Sequence, residues 1–451
     1  MTRFACLVST CALLVACGDE PPDAELDASP GVDAGLDDFT AEERALLATL
    51  SPLPPVPPDP TNAFADEPGA ARLGQMLFFD KSYSGALVVG DDGTNHGLGQ
   101  VGETGKVSCH SCHAAGSGAM DDRRSQPNHV SLGTAWGTRN AHGLVNSSYY
   151  RWTNWGGRFD SQWSLPLAVA EGGATMRSTR LQIAHLLYAK YRAEYDAVFP
   201  VPLDPALDPG AADAARFPPS GKPKASASDP DGPWELMAPA DRDIVNRIFV
   251  NYGKALAAYT RQLVSRGAPL DRYLAGDLDA ITPGAKRGLR TFLAHCVACH
   301  GGPMLADDQF HALGVPQVGT GVPAVDLGRY QDLPALLASP FNSDGVWSDD
   351  RATGRLAGLA QVDAQRGQFR TKSLRGVASS RPYMHAGQLA TLRDVVAFYN
   401  AGGGEVADGV VKDPRIRPLG LTGTEENDLV ELLMMLDGEP VPATWLVDLS
   451  R

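Results

Sequence analysis

Two short runs hold the residues best suited to chemistry: Cys109-His110-Ser111-Cys112-His113 and Cys296-Val297-Ala298-Cys299-His300. Two thiols three residues apart can add to the two vinyl groups on one porphyrin edge. The adjoining imidazole then lies under the iron and ligates it. The spacing is that of covalent haem c attachment, twice over, with His113 and His300 as proximal ligands. A zinc site would need two more ligands at suitable spacing, and a redox dithiol would need a strand–helix–strand setting. Of seven cysteines, three (Cys6, Cys11 and Cys17) lie at the very start and four form the two motifs, so none remains for a structural disulfide. The sixth iron ligands decide the chemistry. Methionine raises the iron potential, tyrosinate lowers it, and an open position admits peroxide or oxygen. Met304, Met384, His129, His311 and several tyrosines are available, and the motifs alone do not choose among them.

The elements that must position these motifs are helical. Ile244 to Leu263 has apolar residues at helical spacing and no proline. Pro283 to Cys296 reads as a helix running straight into the second motif, with proline in its first turn. Thr391 to Tyr399 reads as another, with Asp394 early and Gly402 after its end. A short helix over Thr40–Leu50 has Thr40 and Glu43 in capping-box register. Strand alternation is scarce, and 48 glycines and 34 prolines favour loops. The expected fold is mostly α: two cytochrome-c-like domains with long loops, each binding one covalent haem.

Along the chain, Arg3 and the apolar run Phe4 to Ala16 read as a signal peptide, too short to span a bilayer. Leu14-Val15-Ala16-Cys17 resembles a bacterial lipobox, which implies cleavage before Cys17 and lipidation of its thiol; an ordinary signal peptide is the alternative. Residues 1–17 are thus the lipoprotein signal and 18–62 an acidic, proline-rich tether. Residues 63–199 are the first haem domain, 200–240 a Pro/Ala/Asp-rich insertion or linker, and 241–451 the second haem domain. The net charge is −14, but eight acids and no base lie in residues 19–38, so the remainder is mildly acidic and nothing suggests nucleic-acid binding. The expected location is the periplasmic side of a bacterial membrane, with the outer membrane preferred because Gly18 follows the cysteine.

Several further motifs resemble the bacterial di-haem cytochrome c peroxidase and MauG family. They are Leu73-Gly74-Gln75-Met76-Leu77-Phe78-Phe79-Asp80 with Ser84-Gly85, Arg139-Asn140 with Asn146, and Trp155-Gly156-Gly157-Arg158. The second-haem segment Cys299-His300-Gly301-Gly302 with Asp307, Phe310, His311 and Gly314 belongs with them. So do Phe369-Arg370-Thr371-Lys372-Ser373-Leu374-Arg375 and Pro382-Tyr383-Met384-His385-Ala386-Gly387. The resemblance implies a peroxidatic first haem and an electron-donating second haem. It implies hydrogen peroxide as oxidant and a small electron-donor cytochrome or cupredoxin, or a protein substrate, as partner. Trp155 falls at the place of a tryptophan lying between the haems, the alternative being a packed core ring. His129, sixteen residues past His113, matches a removable distal histidine, the alternative being a surface residue. Asn140, Ser380 and Pro382 fall where the family holds a calcium ion, through the Asn140 side chain and two carbonyl oxygens; the same residue types also favour turns.

Two departures stand out. Members with a high-potential second haem place a methionine fourteen residues after the histidine matching His385, and here that residue is Tyr399, as in the MauG branch. Tyr399 is therefore expected to ligate the second iron, the alternative being a packed ring with Met384 as ligand. The family's acid–base glutamate precedes a methionine. Here Met176 is preceded by Thr175, whose hydroxyl cannot replace a carboxylate, and Glu171 is the nearest substitute. The expected activity is peroxide reduction with electron transfer between the haems. Oxidation of a partner protein's side chains, or a non-catalytic di-haem electron carrier, are the alternatives.

Overall fold

The computed structural model describes residues 38–95, 97–114, 130–319 and 321–451. It is mostly helical. The principal helices are α1 (Ala41–Leu50), α2 (Pro68–Phe79), α3 (Ser164–Glu171), α4 (Arg180–Val198), α5 (Pro239–Thr260), α6 (Pro283–His295), α7 (Arg329–Ala338), α8 (Leu392–Asn400) and α9 (Gly423–Met434). The named strands are β1 (Phe310–His311) and β2 (Phe369–Arg370), paired antiparallel with Phe310 opposite Arg370. Helix starts follow the sequence signals. Thr40 and Glu43 form a reciprocal capping box, as do Thr391 with Asp394 and Thr422 with Glu425. Pro283 occupies the first turn of α6 behind a Thr282 cap. No helix among the described residues is long and apolar enough to cross a membrane.

Two large apolar cores and three small ones result among the described residues. The first gathers α2, α3, α4 and α5 around Leu77, Phe78, Trp163, Leu187, Phe249, Tyr252 and Tyr259. The second gathers α1, α6, α8 and α9 around Leu47, Leu289, Phe292, Val396 and Leu432. Glycines let the central helices approach. A Cβ on Gly74 of α2 would lie 2.0 Å from the Ala255 carbonyl oxygen of α5, and one on Gly288 of α6 would lie 2.1 Å from that of Asp428 in α9.

These cores correct the expected domain limits. Helix α5, placed with the second domain by a boundary at residue 241, buries Val245, Ile248, Phe249, Tyr252 and Leu256 in the first core, because that apolar stripe faces α2. Packing also begins before residue 63: Phe39, Leu47 and Leu50 belong to the second core and Leu53 is buried. Late residues return the other way. Val441, Trp445 and Leu446 pack on the first core, and the Gln75 amide donates to the carbonyls of Thr444 and Val447 at 2.9 Å each. Residues 200–240 are fastened down rather than loose. Leu203, Leu207, Phe217 and Trp234 join the first core, and the His185 ring nitrogens approach the Leu207 and Phe217 carbonyls at 3.1 Å.

Candidate active site

The first motif forms a single helical turn, Cys109–Cys112, after an extended approach that Ser84 holds in place. The Ser84 hydroxyl accepts from the Lys106 and Val107 N–H groups at 2.9 and 3.1 Å. Cys109 packs on the first core beside Phe79 and Tyr83, and burial pushes its thiol up to about 11. Cys112 Sγ lies 3.6 Å from the Leu132 carbonyl oxygen. That neighbourhood continues to Thr175, whose carbonyl accepts from Thr134 N–H at 2.8 Å. The Thr175 hydroxyl is spent on the backbone, donating to Val169 and Gly172 carbonyls. His129 lies outside the described residues, as do Cys6, Cys11 and Cys17.

Glu171, at the end of α3, meets a different demand from proton transfer. Its two carboxylate oxygens accept from Arg180 Nε and Nη2 at 2.9 Å each, and Oε1 also accepts from the Arg180 backbone N–H at 3.1 Å. The Arg180 guanidinium is wedged between Trp234, Phe249 and Phe341, with its carbon 4.9, 5.1 and 5.6 Å from their ring centres. Both side chains are largely buried, at 8% and 17% exposure. The pair ties α3 to α4, and both carboxylate oxygens are engaged by it.

The second motif begins where α6 ends, with Cys296 as cap and a turn over Val297–His300. His300 Nδ1 lies 3.0 Å from the Leu305 carbonyl oxygen. That contact makes Nδ1 the protonated nitrogen and leaves Nε2 as the one able to hold a metal, the usual arrangement of a ligating histidine. Burial holds the imidazolium form down, which favours the neutral ring that binds metal. Burial pushes the Cys296 thiol up to about 12. None of the four motif cysteines is in a disulfide.

Cys296, Cys299, His300, Met384 and Tyr399 line one cavity of about 810 Å³. Tyr399 is on α8, and burial among the two cysteines pushes its phenol up. The phenol and the imidazole of His300 thus share the cavity. His311 is otherwise employed. Its Nε2 meets Asp307 at 2.9 Å and its Nδ1 meets Asp413 at 2.8 Å, fixing β1 against the 404–417 loop. Met304 contributes its carbonyl oxygen, which accepts from the Ser373 hydroxyl. Thiols outside any disulfide, a held imidazole and a cavity of this size fit a covalently attached haem.

Trp155 also lines this cavity. Its indole N–H donates to the Asn140 carbonyl at 2.8 Å, and its carbonyl accepts from Arg370 N–H of β2 at 2.8 Å. The turn that carries it is clamped by Arg329, which donates to the Gly157 carbonyl at 2.6 Å and sits between Trp152 and Phe310. Asn140 N–H donates to the His385 carbonyl at 2.9 Å, which joins the first half to the 380s loop. Both polar atoms of the Asn140 side chain are buried with no protein partner, and of the two Oδ1 has the chemistry to hold a hard cation. Ser380 and Pro382 line the cavity close by.

Sequence reasoning missed two residues here. His142 lines the cavity and also lies ring-to-ring 5.9 Å from His113, so it touches both halves of the site. Lys372 has its Nζ 4.4 Å from the Trp155 ring centre. For Lys372 a signal existed: it stands inside the Phe369–Arg375 run that carries the family resemblance. For His142 there was none.

Comparison with known proteins points one way. The family model described as di-haem cytochrome c peroxidase matches residues 68–279. The cytochrome-c peroxidase IdrP1 of Denitromonas iodatirespirans is 32% identical over 390 residues, covering 84% of each chain. The methylamine utilization protein MauG of Methylorubrum extorquens is 35% identical over 196 residues, 42% of this chain and 45% of that one. The crystal structure of a MauG-like protein associated with microbial copper homeostasis superposes with a TM-score of 0.59 at 23% identity, covering 88% of this chain and 99% of that one, a likeness of fold.

Proposed function

The chain belongs to the di-haem cytochrome c peroxidase family, and we propose that it binds two haems covalently, through Cys109 with Cys112 and Cys296 with Cys299, and uses them to reduce hydrogen peroxide. The observation that carries this reading is the seat at His300. Two thiols, an imidazole held at Nδ1 by Leu305 and the phenol of Tyr399 share one cavity, which Trp155 also lines. Haem iron supplies one-electron steps and a coordination position at which the peroxide O–O bond is cleaved. The overall reaction consumes two electrons and two protons per peroxide and yields two waters.

The protein's own part is positioning and charge. Leu305 fixes the His300 ring, and His113 is the matching ligand on the first side. Trp155, held by Asn140 and Arg370, passes single electrons between the two sides while its N–H stays on a carbonyl that takes no proton. Tyr399 provides a hard, anionic oxygen that favours the oxidised state on the His300 side and lowers the potential there. Glu171 serves as the anion that holds Arg180, and proton delivery is not assigned to it. The orphaned Asn140 side chain supports a calcium ion bound there with the Ser380 and Pro382 carbonyls, and oxygen donors suit that cation. The electron donor is assigned as a small cytochrome or cupredoxin. Lipidation at Cys17 would hold the enzyme at the periplasmic face of a membrane.

Tyr399 also favours a second reading, in which the oxidising equivalents are spent on side chains of a partner protein, as the similarity to a MauG protein suggests. One titration tests both. Peroxide is added stoichiometrically to the purified oxidised protein, and the spectrum is followed with and without reduced donor cytochrome. Peroxide consumed with donor oxidised supports the first reading. Equivalents stored without donor oxidation support the second. No peroxide consumption, together with no binding of carbon monoxide or cyanide, overturns both and leaves a saturated electron carrier.

A further inference from the structure

We propose that Lys372 is the electrostatic control on the Trp155 relay, its ammonium paired with a carboxylate of the haem in the His300 cavity; this rests on the reading above of Trp155 and of that cavity. Lys372 follows β2, whose carboxy-terminal end is held by two backbone bonds. Arg370 N–H donates to the Trp155 carbonyl and Thr371 N–H to the Gln309 carbonyl, each at 2.8 Å. The strand thereby carries Lys372 Nζ to 4.4 Å from the Trp155 ring centre and 5.8 Å from that of Tyr150. Lys372 also lines the cavity itself.

Four nearby arginines have carboxylate partners. Arg370 pairs with Asp308 at 3.2 Å while its guanidinium covers Tyr150 at 3.6 Å. Arg375 pairs with Asp271 at 2.8 Å, Arg415 with Asp413 at 2.7 Å, and Arg139 with Asp326 and Asp332 at 2.6 Å each. Lys372 alone of this group has no ion pair among the described residues. Asp308 is shared between Arg370 and the Arg151 N–H, and His142, also facing Lys372, is kept neutral by burial. Burial drives this lysine toward its neutral form and Arg370 adds to that pressure, while Asp308, already engaged by Arg370, opposes it only in part. Haem brings carboxylates into the same cavity, and one of them completes the pairing that the chain itself leaves open.

The position against Trp155 then has a consequence. Trp155 gives one electron toward the His113 side and takes one from the His300 side, so the indole ends as it began. Between the two steps it carries a positive charge, because its N–H faces only a carbonyl and keeps its proton. An ammonium on the ring face stabilises the neutral indole, whose π cloud is electron-rich, and opposes the oxidised one. Lys372 therefore keeps the oxidising equivalent from settling on Trp155, where it would damage the protein, and drives it on to the Tyr399 side.

The test compares Lys372→Met, Lys372→Gln and Lys372→Arg in the haem-loaded protein, each checked for haem content and thermal melting. Spectroelectrochemistry without peroxide reads the pairing. Loss of the ammonium in Met or Gln should raise the ferric-to-ferrous ratio of the second haem roughly tenfold at a fixed applied potential, the scale of one unit charge across a partly desolvated site, and Arg should restore it. Freeze-quench electron paramagnetic resonance after peroxide reads the relay: a tryptophan radical should accumulate in Met and Gln and not in Arg. Unchanged ratio and unchanged radical yield in a folded, haem-loaded Met or Gln variant overturn the proposal. Trp155→Phe is run alongside. If it leaves inter-haem equilibration untouched, the relay reading fails by itself, while the potentials still decide the pairing of Lys372.

Discussion

Replacing Glu171 by Gln separates a proton carrier from a structural anion. The change removes the charge that faces a guanidinium with a side-chain exposure of 8%, while keeping one carbonyl oxygen as acceptor. Breaking one partner of a buried pair costs about 3–5 kcal/mol, because the other charge stays buried without compensation. Three hydrogen bonds from Arg180 reach Glu171, and glutamine can keep at most those to one oxygen, so the expected loss lies near the lower end, about 3 kcal/mol. If the first core melts as a unit of roughly 200 residues, that loss lowers its Tm by about 6–12 °C. Thermal melting of the holoprotein by far-ultraviolet circular dichroism measures it, and Arg180→Met with the double variant completes a cycle in which the double loses less than the sum. The peroxide reaction is measured on the same samples below their melting range. An unchanged Tm with a rate reduced about 10²–10⁴-fold would refute the structural assignment and return Glu171 to acid–base work.

Three further outcomes are expected. Tyr399→Phe should alter the spectrum of one haem only and raise its potential, while Met384→Leu should leave that haem unchanged; a sulfur-to-iron charge-transfer band in the unmodified ferric protein would contradict the assignment. Chelation of calcium should lower Tm by an amount that saturating calcium restores, about 2.7 kcal/mol at a hundredfold excess over Kd, and Asn140→Ala should abolish the calcium response without removing haem. Cys17→Ser should move the protein from the membrane fraction to the soluble one, and unchanged fractionation would remove the lipid anchor.

The motifs made the site legible because two thiols and an adjoining imidazole at a fixed local spacing are something a sequence displays directly. Helices α6 and α8 were legible for the same kind of reason: Thr282 with Pro283, and Thr391 with Asp394, are local start signals. The assignment of α5 was not. Its apolar stripe is clear, but whether it faces α2 or α6 depends on Gly74 permitting a close approach, and that is a property of the pair. The fate of Glu171 was hidden likewise. Its partner Arg180 is only nine residues away, yet the cage of Trp234, Phe249 and Phe341 that holds the guanidinium comes from distant parts of the chain. Asn140 could be named from resemblance alone, and its two unsatisfied atoms appear only once burial is known.

The exchange of ends between the two cores bears on the order in which the protein can be made. Leu47 and Leu50 belong to the core built largely from residues beyond 270, while Trp445 and Leu446 belong to the core built from residues 73–263. A chain emerging from its amino terminus therefore cannot seal the first core until its last residues are available, since Gln75 waits for the carbonyls of Thr444 and Val447. Nor can α1 find its seat until α6 has arrived. Vectorial folding, in which an early domain closes before a later one appears, is blocked at both ends. The first Cys–His motif therefore lies against a core that is completed only after residues 441–447 have been made.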